Sequence, residues 1–332
     1  MDTKQLEKLS RELYENKNLY GANGVSGQDA MRNIFREALG VSEDATQRQV
    51  YTAYQENKHR LFEIIDIAVD AVMPVIVKNQ FDSLANFHNI KIGDALRFTN
   101  KDKGLFRVAR IAAGTQDLRR QVSLGGHYTI ATDWYGVSIY TEFEQFLAGQ
   151  VDWNEYIGRV AESFAAHLGM QIFKAFNESY SGLRATRKAE GTLTLETLSA
   201  MASRIRAVSG GRQVTVYGTP AALARVSALT EASGGMLEER NRVGFLGTVA
   251  GVSLVALPEA LIPGTEEFVA DDTQLFFIPS GEKIVDVVME GDTITNEIAA
   301  LDSNSLQMTF RTMKRTGIQV NQSAVYGHFK LA

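Results

Sequence analysis

Cysteine is absent from the 332 residues. Disulfides, thiolate metal sites and thiol nucleophiles are therefore excluded, and the absence suits a reducing compartment. Histidine is sparse. His59, His88, His127, His167 and His328 are scattered, none within four residues of another, so no local metal pair exists. Long apolar runs are missing as well, and no stretch would span a bilayer. Residues Met1 to Asn18 are charged and lack the apolar centre of a signal peptide. The expectation is a soluble chain, made and used in the cytosol, with no membrane partner. A net positive charge is lacking, since the formal net charge is −5. That argues against general nucleic-acid binding but leaves open a chain that lines a container of DNA.

Catalytic motifs are missing too. There is no phosphate-binding loop: Ser233-Gly234-Gly235 runs on into Met236 and not into Lys-Ser/Thr. Gly24-Val25-Ser26-Gly27 lacks the spacing of a nucleophile elbow. Glu238-Glu239, Glu266-Glu267 and Asp271-Asp272 read as solvated loops, because acid–base work needs two carboxylates in contrasting surroundings. His167 lies beside an apolar stripe and reads as an ordinary packed histidine. The sequence predicts no catalytic residue, no cofactor and no metal.

Hydrophobic residues make up 45%, enough for a sizeable core, and the length allows about two domains or one large discontinuous one. Leu6, Leu9 and Leu13 share one helical stripe near the start. Ser26 and Asp29 look like a capping pair before a helix to Leu39, with Gly40 as its stop. A longer helix is expected from about Glu43 to Val72, ended by Pro74. Farther on, Asp152 and Glu155 form a capping box. They open a stripe of Trp153, Ile157, Val160, Phe164, Leu168, Ile172 and Phe176, a long spine helix closed by Ser181-Gly182. Its glycines, Gly158 and Gly169, would admit a neighbouring backbone. An α/β region follows: a helix capped by Thr194, a strand from Gln213 to Tyr217, and a helix opened by Thr219-Pro220. Glu231 to Asn241 reads as a polar loop and Val252 to Leu257 as a buried strand. Gln274 to Ile278, Lys283 to Val288 and Leu306 to Thr312 read as strands, and Val325 to Leu331 as a last short strand or edge.

The stretch from Gly93 to Tyr140 differs in character. Two hairpins are expected: Ala95–Thr99 with Leu105–Ile111 around Asn100–Gly104, and Arg119–Leu124 with His127–Ala131 around Gly125-Gly126. The region carries Lys91, Arg97, Lys101, Lys103, Arg107, Arg110, Arg119 and Arg120 against Asp94, Asp102 and Asp117. It has too few large apolar side chains for its own core, and an isolated hairpin is only marginally stable. It either packs on its own body or lies on another molecule.

The order of parts resembles the Hong Kong 97-type capsid fold of tailed-bacteriophage major capsid proteins. Local stretches agree: Gly247–Val255 is similar to a late A-domain strand, and Asp272–Ile278 with Lys283–Val288 to strands returning to the P-domain. Phe310-Arg311, Arg315–Ile318 and Ala324 are similar to the family's closing pattern, an arginine-containing strand, a Gly turn and a small-residue segment. The resemblance runs from about Glu43 to the end and implies an α+β chain. Its parts would be an N-terminal arm and helices (1–80), an extended β-hairpin or E-loop (81–140) and a P-domain with the spine helix (141–190). An A-domain (191–280) and return strands (281–332) would complete it.

The resemblance further implies a non-enzymatic subunit of an icosahedral head shell, built as pentamers and hexamers around packaged double-stranded DNA. Scaffolding and portal proteins would be its other partners. It would assemble in the bacterial host cytoplasm and end in the virion. Arg97, Lys101, Lys103, Arg107, Arg110, Arg119 and Arg120 would be the inter-subunit contacts. An encapsulin-like cargo compartment is the nearest alternative, and an α/β enzyme the remote one.

Overall fold

Leucines three and four apart make the first helix amphipathic, and that stripe decides where it lies. In the computed structural model, α1 (Thr3–Tyr14) buries Leu6 and packs Leu9 and Leu13 on the protein's own core. It does not reach away as an arm. The structure describes residues 3–15, 27–42, 44–101, 106, 108–111, 120–121, 124–142, 153–231, 233–259, 261–262, 264–298, 307–321 and 323–332. Helix α2 (Gly27–Leu39) ends where expected, at Gly40 with φ +71°. The expected cap at Ser26 lies outside the described residues.

Helix α3 (Gln47–Phe81) corrects the expectation of a stop at Pro74: it runs straight past it, with Pro74 inside. An interior proline costs about 3 kcal/mol, through the lost N–H and the crowded carbonyl of the preceding turn. Burial outweighs it, because Met73, Ile76, Val77 and Phe81 all enter the core, at roughly 1.5–3 kcal/mol each. Arg11 Nε also donates to the Ala71 carbonyl at 3.3 Å, satisfying a backbone acceptor in the disturbed turn.

Strands β1 (Ala85–Ile90), β2 (Arg97–Lys101), β3 (Leu124–Thr129) and β4 (Asp133–Glu142) follow. Next comes the spine, α4 (Trp153–Gly182), close to its predicted span; the predicted cap at Asp152 lies outside the described residues. Gly169 does admit a neighbour, though a side chain and not a backbone: a Cβ there would stand 3.1 Å from the Phe81 ring of α3. His167 is half-buried against Tyr135, ring centroids 4.4 Å apart.

The α/β region comprises β5 (Lys188–Gly191), α5 (Leu195–Val208), β6 (Val214–Gly218) and α6 (Pro220–Ser227). Thr194 and Thr219 cap their helices by accepting the N–H of Thr197 and Ala222, each at 3.2 Å. The polar stretch read as a loop is instead helix α7 (Gly235–Val243), closed by Gly244 at φ +90°. None of its side chains is buried, so no apolar stripe announced it. Glu238 in its first turn and Arg240 and Arg242 in its last suit the helix dipole.

Strands β7 (Thr248–Val249), β8 (Val252–Ala256), β9 (Gln274–Pro279), β10 (Val285–Ile298), β11 (Gln307–Val320) and β12 (Gly327–Leu331) complete the chain. Two sheets result. One is four-stranded, ordered β1-β10-β11-β4, with β1 parallel to β10 and the rest antiparallel. Helices α3 and α4 cover one face of it. The other is six-stranded, ordered β5-β12-β9-β6-β8-β7. Strand β9 is buried on both sides: Leu275 and Phe277 join the core of α5 and α6, whereas Phe276 and Ile278 join the core of the spine. Phe276 meets Phe176 at 4.6 Å.

Two further expectations are corrected. Gly317 is not in a turn: β11 runs unbroken through it, paired with Val288. Of the two readings for Val325–Leu331, the short strand holds and the edge does not, since β12 lies between β5 and β9.

Candidate inter-subunit surface

Strands β2 and β3 pair antiparallel, Arg97 opposite Thr129 and Phe98 opposite Tyr128, with an irregularity between Thr99 and Lys101. Among the described residues, β2 and β3 pair with each other as a ribbon in place of the two predicted short hairpins. Gly125-Gly126 is not a turn but the interior of β3. Of the predicted first hairpin's second arm, residues 106 and 108–111 carry no strand. The sequence signal misled because turn residues were read locally, while the strand partner lies more than twenty positions away.

Among the described residues, the ribbon packs through a stacked pair, Phe98 on Tyr128 at 5.4 Å and 19°, with His88 of β1 edge-on to Phe98 at 5.2 Å. Among the described residues between β2 and β3, Phe106 is 56%, Val108 98% and Ile111 47% exposed. Arg110 and Arg120 are exposed as well, as is Arg97 on β2. Lys101 closes β2 opposite Leu124. Lys103, Arg107 and Arg119 lie outside the described residues. The structure thus sets Arg97 and Lys101 on the paired part of the ribbon and Arg110 and Arg120 on its irregular part.

The roots of the ribbon are held by carboxylates that the sequence reading passed over. Glu290 of β10, buried, accepts the Gly93 N–H at 2.9 Å, the Thr132 hydroxyl, and Arg315 Nη1 at 2.9 Å. The Gly93 N–H, then Thr132, then Arg315 hold its carboxyl below the ordinary Glu range. Arg315 Nε also donates to the Thr132 carbonyl at 3.2 Å. Four positions earlier, buried Asp286 accepts Asn86 Nδ2 at 3.2 Å and the Tyr128 hydroxyl at 3.3 Å, with His88 Nε2 at 3.4 Å. Burial and then the Asp286 charge push the Tyr128 phenol up to about 12. In sequence, Asp286 is an ordinary member of a strand pattern, and Glu290 and Arg315 lie just beyond the strands expected there. Only pairing shows that they meet the ribbon.

Beside the ribbon lies the uncovered face of the four-stranded sheet. Along β4, Tyr135, Val137 and Ile139 turn toward the helices, while Trp134 and Tyr140 are 48% and 63% exposed on the opposite face. Among the described residues, no cluster of three His, Asp or Glu side chains is placed to hold a metal ion, and no helix is long and apolar enough to cross a membrane.

No curated protein matches the sequence. In fold, the chain is similar to the capsid structure of the cyanophage P-SCSP1u, at 12% identity and a TM-score of 0.52 over 76% of this chain and 88% of that one. The mature capsid of bacteriophage PhiM1 gives 16% identity, 0.49, and 76% and 86% coverage. A virus-like particle from Pyrococcus furiosus gives 11% identity, 0.47, and 78% and 96%. The fold is the α+β, Hong Kong 97-like capsid fold. The family model described as "SPbeta prophage-derived putative capsid protein YonB" matches residues 15–330, well upstream of the Glu43 boundary expected from sequence. The chain belongs to that family and is a structural, phage-type capsid protein.

Proposed function

We propose that this chain is the major capsid subunit, assembling with copies of itself into the icosahedral head shell that encloses the double-stranded DNA of a phage. The observation that carries this is the ribbon. Among its described residues, Phe106, Val108 and Ile111 are exposed to solvent, an arrangement explained when a neighbouring copy covers it. Arg97, Lys101, Lys103, Arg107, Arg110, Arg119 and Arg120 would add ion pairs and hydrogen bonds to that neighbour. A heterologous contact of this kind, repeated about an axis, closes rings of five and six. Many weak contacts per subunit then make a closed shell stable while each contact stays reversible.

On this reading residues 191–280 form the axial domain, and the spine with the four-stranded sheet forms the peripheral one. The subunit assembles in the host cytoplasm with scaffolding and portal proteins and ends in the virion. DNA is enclosed without sequence-specific contact, and the chain performs no catalysis. An encapsulin-like compartment is the less favoured reading, because the family matched is one of prophage capsid proteins.

The test is size-exclusion chromatography and negative-stain microscopy of the full chain and of a variant lacking residues 93–131. The expected result is closed particles, tens of nanometres across, from the full chain and soluble small species from the variant. Closed particles from the variant would remove the ribbon from the account. A full chain that stays small under all assembly conditions would overturn the shell reading.

A further inference from the structure

The ribbon leaves the body through two strands of backbone, and both pass over the same pair of strands. On entry, Ile92 lies against Gly291 of β10 so closely that a Cβ there would stand 2.2 Å from Ile92 Cγ1. The next residue, Gly93, turns at φ +87° and gives its N–H to Glu290. On exit, the carbonyl of Ala131 lies over Gly317 of β11, 2.2 Å from where a Cβ would be. The next residue, Thr132, donates its hydroxyl to Glu290, and its carbonyl accepts from Arg315 Nε. Glu290 and Arg315 are direct cross-strand partners. Two glycine seats thus flank one ion pair, and each end of the ribbon touches one seat and the shared pair.

We propose that Gly291, Gly317, Glu290 and Arg315 form a saddle that sets the direction in which the ribbon leaves the subunit, making them positioning residues for assembly. This rests on the reading that the ribbon contacts a neighbouring copy. A carboxylate as buried as Glu290 is tolerated only when its lone pairs are taken up, and here donors from both ribbon ends take them up. The two ends are therefore coupled: neither can shift without unpairing a charge that the other also uses. Leverage makes this matter. The paired part of the ribbon is five and six residues long, about 20 Å at 3.4 Å per residue. A tilt of about 10° at its root would carry its far end by roughly 3–4 Å, more than a hydrogen bond tolerates. Asp286 supports the same geometry from below through Tyr128.

Amide hydrogen exchange on the unassembled full chain tests this, together with shell diameters by negative stain. Glu290→Gln keeps the shape and removes the charge; Gly317→Ala fills one seat. Both are expected to speed exchange at Phe98, Thr99 and Tyr128 by roughly tenfold or more while the six-stranded sheet keeps its protection. Shells from them are expected to be misclosed or uneven in diameter. Unchanged exchange at the ribbon, or faster exchange with normal shells, would overturn the proposal. Thr132→Val, which deletes one donor, serves if the first two fail to fold. Loosening confined to the ribbon supports the saddle, and loosening spread over both sheets overturns it. If the unaltered chain formed no shells, the assembly reading would fall while the exchange result still stood.

Discussion

The backbone of Ala131 crosses Gly317 so closely that the Ala131 carbonyl oxygen occupies the space a side chain at 317 would need. A glycine inside a strand costs stability through backbone entropy and missing contacts. Here it is required by close approach, since its φ is not in the left-handed region. Replacing Gly317 with Ala should destabilise the subunit by about 1–3 kcal/mol, the usual range for overpacking. Urea unfolding followed by circular dichroism reads this as a lower midpoint with an unchanged slope. An unshifted midpoint would show that the 130–132 segment moves aside freely.

His328 lies fully buried between Tyr180 and Phe276, ring centroids 4.8 and 4.6 Å away. Among the described residues neither ring nitrogen has a hydrogen-bond partner. Burial, and then the Lys330 charge, lower its pKa to about 4 from an ordinary 6.5. The unfolded chain therefore takes up a proton that the native state refuses. Stability from this group is full above pH 6.5 and falls as the pH drops toward 4, by about 3 kcal/mol at most. His328→Phe should flatten that dependence; an equally steep fall in the variant would acquit the histidine.

Asp66 of α3 responds in the opposite sense. Its carboxyl is raised to about 6, first by burial and then by neighbouring Asp70, against the lowering pull of Thr295 and Lys314. The native state then holds a proton that the unfolded chain has already released. The resulting stability is full below the ordinary value of 3.8 and is lost as the pH rises through 6. Asp66→Asn is expected to stabilise the subunit at pH 7.5, by up to about 3 kcal/mol, and to change little at pH 4. Equal midpoints for variant and parent at pH 7.5 would contradict this.

Lys314 of β11 sits 5% exposed and pairs with Asp70, which also accepts the Thr293 N–H at 2.8 Å and its hydroxyl at 2.6 Å. This seam ties the middle of α3 to the bulged part of β10. Lys314→Met would leave Asp70 and Asp66 facing each other without a cation. The expected loss is about 3–5 kcal/mol, with part of it recovered by adding Asp70→Asn. Thermal melts of the two single variants and the double variant give the coupling directly.

Reversal of Arg110 and Arg120 to Glu should slow shell assembly, and more so at low salt than at high salt, since exposed charges are screened over about 10 Å at 0.1 M. Light scattering during assembly at two ionic strengths measures this. A defect of equal size in both would assign these arginines a role other than ion pairing.

Local chemistry is enough to read the helices that carry an apolar stripe or a side-chain cap, though not α7 or the end of α3. The Trp153–Phe176 stripe, the Thr194 and Thr219 caps and the Gly40 stop each depend on residues within a few positions, so their pattern survives without knowledge of neighbours. The basic character of Gly93–Tyr140 is equally legible, because it is composition. So was the order of parts that resembles a capsid fold. What needed the tertiary structure is whatever rests on distant partners. Pro74 stays helical because the core takes the turn beyond it. Gly317 and Gly125-Gly126 lie within strands because β10 and β2 pair there. β12 becomes interior because β5 and β9 flank it. Glu290 shows no motif, and Arg315 belongs only to the stretch that resembles the family's closing pattern. They acquire a role only when pairing brings residues 93, 132, 290 and 315 together, and strand pairing is a long-range choice that a local pattern does not encode.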